Sequence, residues 1–175
     1  MEDLGELRYF LGIEFARFHK GILMHKRNYA LELLSELGLT ASTAATTPMD
    51  YNIQLTSRQF NEHVKKNQTT NDLIENQVAY KKLVGKMLYL TMTRPYIDFC
   101  AQTLCQFLQD PKKSHMEVEL RVVKYVKGQP VKGVLLSSNS GNRVSAYCNA
   151  DWASCPQTGR SVTGYFVKIG ELVAF

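Results

Sequence analysis

Carboxylates, thiols and imidazoles are the groups in this chain able to hold a metal ion or move a proton, and their spacing decides which chemistry is open to it. Two-metal catalysis needs acids that converge on a pair of divalent ions about 4 Å apart. No two aspartates are adjacent anywhere in the 175 residues, and the one adjacent acid pair, Glu2-Asp3, precedes the first strand-like stretch. Between residues 133 and 175 only Asp151 and Glu171 are acidic. Cys100, Cys105, Cys148 and Cys155 form no Cys-x-x-Cys pair and have no histidine at the short spacing of zinc modules, so they read as reduced structural thiols. His115 has no second histidine at helical spacing and reads as a support for a helix start rather than a metal ligand.

Cations are the other chemical resource, and they are unevenly spread. The net charge is +5, but residues 81 to 132 carry 10 Lys/Arg against 4 Asp/Glu, whereas residues 1 to 80 carry 8 against 10. A basic middle segment can release counterions from phosphate, or it can be a solvated helix face. Lys81, Lys82, Lys86, Arg94, Lys112, Lys113, Arg121, Lys124 and Lys127 are the candidates there. Arg8 and Phe10 join them near the amino end, as a cation and a ring on a strand-like stretch. Taken singly, each of these positions is better served by a structural role than by a binding one.

The elements that must position these groups follow from periodicity. Leu7, Tyr9, Leu11, Ile13 and Phe15 alternate with Arg8, Phe10, Gly12, Glu14 and Ala16, predicting one strand with at least one buried face, and Ile22–His25 pairs back after a turn at His19-Lys20-Gly21. Asn28 is the expected N-cap of a helix with Ala30, Leu33, Leu34 and Leu37 on one side and Gly38 as its stop. Residues 40 to 78 are polar and read as a long loop holding at most a short helix. Tyr80, Leu83, Val84, Met87 and Leu88, then Ile97, Cys100, Ala101, Leu104 and Leu108, then Val118, Val122, Tyr125 and Val126 predict three helices. Pro95 separates the first two, Ser114 with Glu117 forms the expected capping box of the third, and Gly128 and Pro130 end it. From Val134 onward the period returns to two, with turns at Ser140-Gly141-Asn142 and Ile169-Gly170-Glu171, predicting one antiparallel meander.

The fold class is therefore α+β, in four stretches: residues 1–39, a hairpin and helix; 40–78, the polar loop; 79–130, helices; and 133–175, the meander. A chain with 45% hydrophobic and 10% aromatic residues is neither disordered nor fibrous. No apolar run reaches the roughly 18 residues of a membrane span, and the start Met1–Glu6 is acidic where a signal peptide would be basic. The expectation is a cytoplasmic or nuclear chain with no membrane partner.

Several stretches together resemble the polymerase polyprotein of copia-type LTR retrotransposons. They are Met1-Glu-Asp-Leu-Gly-Glu-Leu-Arg-Tyr-Phe-Leu-Gly-Ile-Glu14, Thr47-Pro-Met49, the run from Tyr80 to Pro95, His115 through Gly128, and Ala150-Asp-Trp-Ala153 with Arg160-Ser161 and Gly164-Tyr165. They stand in the family's order and cover nearly the whole chain. The resemblance implies that the first hairpin follows the palm, with Tyr9-Phe10-Leu11-Gly12 at the primer grip. It also implies that the middle helices are thumb- and connection-like and that residues 133–175 begin an RNase H fold. The partner it implies is an RNA–DNA hybrid or DNA. The intact family enzyme uses magnesium, but none is expected to be held by this stretch. Its paired palm aspartates are absent, and Asn149 stands where the family places the first RNase H aspartate, beside Asp151. The expectation is thus a non-catalytic piece with at most weak nucleic-acid binding. Two alternatives stand beside it: an interaction module using an exposed C-terminal strand edge, and part of a reverse transcriptase completed by another chain.

Overall fold

The computed structural model describes residues 5–50, 53, 55–64, 74–138, 141, 143–152, 155, 159–170 and 172–174. The chain divides into two compact units, one formed by Met1–Tyr29 with Val131–Phe175 and the other by Ala30–Pro130. The class is mixed α+β, with five α-helices and two antiparallel sheets among the described residues.

In the first unit the predicted opening strand is broken in two. Strand β1 (Tyr9–Phe10) and β2 (Ile13–Phe18) face each other with Phe10 opposite Ile13. Leu11 and Gly12 make the two-residue turn between them, with φ of 45° and 71°. Two consecutive positive φ values are the backbone of a type I′ hairpin turn, whose twist matches the flanking strands. Alternation alone does not reveal this, because period two within each short strand reads the same whether or not the chain reverses between them, while the reversal sets Tyr9 opposite Glu14. Its consequence is exposure: Tyr9 and Leu11, which the alternation places in a core, lie on the surface with Phe10.

Strand β3 (Gly21–His25) pairs with β2 as expected, Phe18 opposite Gly21. The last part of the chain does not form one meander. Strand β4 (Val134–Ser137) adds to β3, giving the order β1-β2-β3-β4, while β5 (Val144–Asp151), β6 (Val162–Ile169) and β7 (Leu172–Ala174) make a separate sheet in that order. The expected turns at Ser140–Asn142 and Ile169–Glu171 include positions outside the described residues. Helix α1 (Arg27–Glu36) starts one residue before Asn28, so Asn28 is not its cap. Instead the Asn28 backbone N–H donates to Glu14 Oε1 of β2 at 2.9 Å. A carboxylate near the first turn also meets the positive end of the helix dipole.

The second unit is helical. Helix α1 ends in a Schellman arrangement, with the Leu39 N–H reaching the Leu34 carbonyl at 2.8 Å and Gly38 at φ 64°. Helix α2 (Arg58–Val64) lies in the polar stretch, and α3 (Gln77–Thr91) is capped by Asn76 through the Ala79 N–H. A 3-10 turn, Pro95–Ile97, leads into α4 (Asp98–Cys105), and α5 (Lys113–Gly128) closes the unit. Tyr80, Val84, Met87, Leu90, Ile97, Ala101, Leu104, Val122 and Val123 are at most 1% exposed and form its core. Leu90 and Val123 join the predicted stripes, whereas Leu37, Leu88, Leu108 and Tyr125 are only half-buried. The expected Ser114/Glu117 capping box is absent. The helix begins at Lys113, and His115 Nδ1 accepts from the Lys112 backbone N–H at 3.1 Å, so the imidazole does the capping two residues upstream of the expected cap.

Gly133 sets how closely β3 and β4 meet. A Cβ there would collide with the Met24 carbonyl oxygen and crowd His25 Cβ. Gly133→Ala should therefore cost about 1–3 kcal/mol, the range for forced overpacking. Amide hydrogen exchange at Val134–Ser137 is expected to accelerate in the variant, and unchanged protection would show that β4 does not depend on this close approach.

Candidate nucleic-acid interface

At the hairpin tip, Arg8 is exposed and Tyr9, Phe10 and Leu11 are 63%, 56% and 70% exposed. Three consecutive apolar side chains thus project from a two-residue turn beside a cation. The tip packs none of them into the first unit's interior.

The basic middle segment is distributed differently from what its sequence suggests. Arg94 is wholly buried: its Nη1 donates to the Tyr96 hydroxyl at 2.8 Å and the Gln129 carbonyl at 2.9 Å, and its Nη2 to the Pro130 carbonyl at 2.6 Å. Lys112 is 1% exposed and donates to Thr56 Oγ1 at 3.2 Å. Arg121 pairs with Asp50 at 2.6 Å and donates to Thr47 Oγ1 at 2.9 Å. Lys127 Nζ reaches the Leu39, Thr40 and Ser42 carbonyls. Lys82 and Lys86 both meet Glu36 of α1, whose carboxyl is held below the usual carboxylate range by Lys86 and Lys82 in that order. Lys81 and Lys113 are exposed, and Lys124 is half-exposed. The segment is basic in composition, but most of its cations are engaged within the unit.

An open cleft of ≈ 430 Å³ lies beside the start of α5, lined by Asp50, Leu55, Thr56, Lys112, Glu117 and Arg121 among others. Its two cations and two carboxylates cancel.

Some buried side chains are ionisable, which hydrophobic periodicity does not show. Glu119 is fully buried on α5, and neither carboxylate oxygen has a hydrogen-bond partner among the described residues. Burial pushes it up to about 9, so it is a neutral acid at pH 7. His115, one turn earlier, is also fully buried and stacks on Phe107 with ring centroids 4.0 Å apart. Burial pulls it down to about 4, helped by the Lys112 ammonium and opposed by the Thr56 carbonyl. Because Nδ1 accepts a hydrogen bond, the neutral ring carries its proton on Nε2. Glu119 sits at helical spacing in the stripe Val118, Val122, Val126, which is the one signal that would have flagged it. Lys26, between β3 and α1, is buried as well, and burial pulls it down to about 8.

The magnesium chemistry that the resemblance implies is not matched by the residues described. Among them no group of three or more His, Cys, Asp or Glu is placed to hold a metal. Asn149 is an exposed amide on β5, and an amide lacks the negative charge of a bridging carboxylate. Glu171 lies outside the described residues. All four cysteines are described, and none is in a disulfide. No described helix is long and apolar enough to cross a membrane.

The sequence as a whole matches known proteins along nearly its full length. It is 31% identical to the "Retrovirus-related Pol polyprotein from transposon RE1" of Arabidopsis thaliana over 171 residues, 98% of this chain and 11% of that protein. It is 32% identical over 170 residues to the "Uncharacterized mitochondrial protein AtMg00810" of the same plant, covering 97% of this chain and 66% of the relative. Over 78 residues it is 41% identical to a second, "Uncharacterized mitochondrial protein AtMg00240", covering 70% of it. The chain belongs to the retrotransposon Pol polyproteins. This Pol segment spans about two-thirds of the first mitochondrial relative and about a tenth of the transposon polyprotein. No family model matches it, and no solved structure does.

The buried pair gives this Pol segment a defined pH response. A carboxyl raised in the folded state from 4.5 to about 9 makes stability fall as pH rises between those values. An imidazole lowered from 6.5 to about 4 makes stability fall as pH drops between those values. The two slopes oppose each other between 4.5 and 6.5, and above 6.5 the glutamic acid acts alone. Glu119→Gln keeps the shape without the ionisation, so thermal melting at pH 7.5 should rise by about 5 °C or more, with no gain at pH 4. Equal melting temperatures for the two proteins at both pH values would show that Glu119 carries no such penalty.

Proposed function

We propose that this chain is the part of a copia-type reverse transcriptase–RNase H polyprotein that follows the palm, and that it grips a template–primer duplex without catalysing a reaction by itself. The hairpin tip carries this reading. Leu11 has φ 45° and is 70% exposed. A left-handed conformation costs a residue with a Cβ roughly 1–2 kcal/mol, and Asn or Gly is the usual occupant of this turn. A left-handed residue with a Cβ at an exposed turn is expected where a surface serves a ligand. Phe10 offers a ring face for a base or sugar, and Arg8 a charge for phosphate. The resemblance of Tyr9-Phe10-Leu11-Gly12 to a primer-grip turn supports the same ligand.

Among the basic candidates of the helical unit, Lys81 and Lys124 are proposed as phosphate contacts in their own right, separately from the hairpin tip. Arg94, Lys112, Arg121 and Lys127 act in this reading by holding the helices in place. The alternative of association through the C-terminal edge has less support, because β7, although last in its sheet order, lies beside β4; self-association measured by sedimentation is its test.

Band shift with an RNA–DNA hybrid across a salt series tests the main reading, because each phosphate contact adds about 0.9 to the log–log salt slope. Arg8→Ala with Phe10→Ala should weaken binding several-fold. Leu11→Asn should stabilise the protein by about 1 kcal/mol while weakening binding. Binding that ignores both salt and these substitutions overturns the proposal.

A further prediction concerns catalysis. Neither nucleotide incorporation nor RNA cleavage is expected with magnesium or manganese, and Asn149→Asp alone should not create cleavage, since one restored carboxylate leaves the two-metal requirement unmet. Metal-dependent activity that survives repurification and exceeds a no-protein control overturns the non-catalytic part of the reading.

A further inference from the structure

We infer that Lys82, Lys86 and the open backbone at Gly85 form a seat for a phosphate group, and that Glu36 occupies it in the resting chain as an internal competitor. The inference rests on the nucleic-acid reading above and adds a site and a device that limits binding there.

Lys82 and Lys86 stand four residues apart on α3, so their side chains rise from the same helix face. Both ammonium groups converge on one carboxylate, Lys82 on Glu36 Oε1 at 3.0 Å and Lys86 on Oε2. Two cations held around the two oxygens of one anion is an arrangement that two oxygens of a phosphate can take over, since both anions present acceptors of similar separation. Each ammonium has three donors, so the pair retains capacity for a further anion even while Glu36 is present. The contacts are at the surface, where ion pairs are individually weak and exchange readily with solvent and ligands.

Gly85 supplies an independent observation. It lies in the middle of α3 on the exposed face, and a Cβ built there meets nothing within 4 Å. Mid-helix glycine costs about 1 kcal/mol relative to alanine, and no contact inside the unit demands it. What it provides is bare helix backbone beside the two lysines, which lets a bulky anion come closer than any side chain would allow. A phosphate on a nucleic-acid strand and a free phosphate share this chemistry, and only the first would be strengthened by neighbouring contacts.

The test uses the full chain. Glu36→Gln removes the competitor, Glu32→Gln removes the same charge from an exposed position one turn earlier on α1, and Lys82→Ala with Lys86→Ala is added to Glu36→Gln. RNA–DNA hybrid affinity is measured across a salt series. Inorganic phosphate and pyrophosphate are titrated separately by amide chemical shifts of α3. Glu36→Gln should raise hybrid affinity by about tenfold at low salt, the worth of one charge-assisted hydrogen bond, and steepen the salt slope by up to about 2. Glu32→Gln should do neither, and the double lysine substitution should abolish the gain. Gly85→Ala should raise thermal stability while lowering the affinity of Glu36→Gln for the hybrid. Phosphate shifts at Lys82–Lys86 in Glu36→Gln without a hybrid gain would assign the seat to free phosphate. Salt-dependent hybrid binding by the parent that Glu36→Gln leaves unchanged, with no phosphate shifts, overturns this inference while sparing the duplex-binding reading. Absence of salt-dependent hybrid binding in every protein overturns both.

Discussion

A buried guanidinium is the constraint around which the helical unit is organised. Arg94 sits between the end of α3 and the 3-10 turn that Pro95 begins, and it cannot be withdrawn without leaving the Gln129 and Pro130 carbonyls short of a donor. Those carbonyls follow the last turn of α5, where the helix dipole is negative, so the burial of a full positive charge is offset by carbonyl oxygens and a helix end together. Tyr96, which accepts from the same guanidinium, packs edge-on against Tyr125 of α5 at 5.9 Å. One side chain thereby fixes where α3 stops, how α4 departs and where α5 ends.

The same device recurs at smaller scale. Lys127 gathers three carbonyls that follow α1, and Arg121 ties the Thr47–Asp50 segment to α5. These cations fasten polar loop to helix, which is how a stretch with little apolar periodicity is held against the bundle. The cost falls on surface charge, because a lysine engaged by carbonyls or carboxylates releases fewer counterions when a polyanion arrives. In a Pol segment, whose relatives are polyproteins of transposons, that trade separates the residues that shape the scaffold from those left to meet a ligand.

The unpartnered acid of α5 runs the other way. Burial disfavours the ionisation of Tyr80 and Cys105 in the same region, so the surroundings of Glu119 do not welcome an anion. A carboxyl in such a place stays protonated and behaves as a polar substitute for the valines beside it. His115 stays neutral for the same reason, and its capping role depends on that neutrality, since a protonated Nδ1 would have no lone pair for the Lys112 N–H.

Local pattern was sufficient where the physics is local. The 3.6-residue stripes of α1, α3, α4 and α5, the stop at Gly38, the break at Pro95 and the β2–β3 turn are all legible, because each follows from side-chain spacing or backbone restriction within a few residues. The ordered family-like words from Met1 to Tyr165 likewise carried the relationship to retrotransposon Pol polyproteins. Tertiary structure alone decided the rest. It split the opening strand at Leu11-Gly12, sent β4 to β3 instead of β5, and brought Glu14 to the start of the helix that Asn28 was expected to cap. It also turned Arg94, Lys112, Arg121 and Lys127 inward to acceptors 35 to 88 residues away. For the pairing of β4, the Glu14 contact and the buried cations the physical reason is the same: a hydrogen bond or strand pairing between distant residues leaves no periodic trace in the chain, and a lysine reads the same in sequence whether its charge faces water, a carboxylate or a ring of carbonyls.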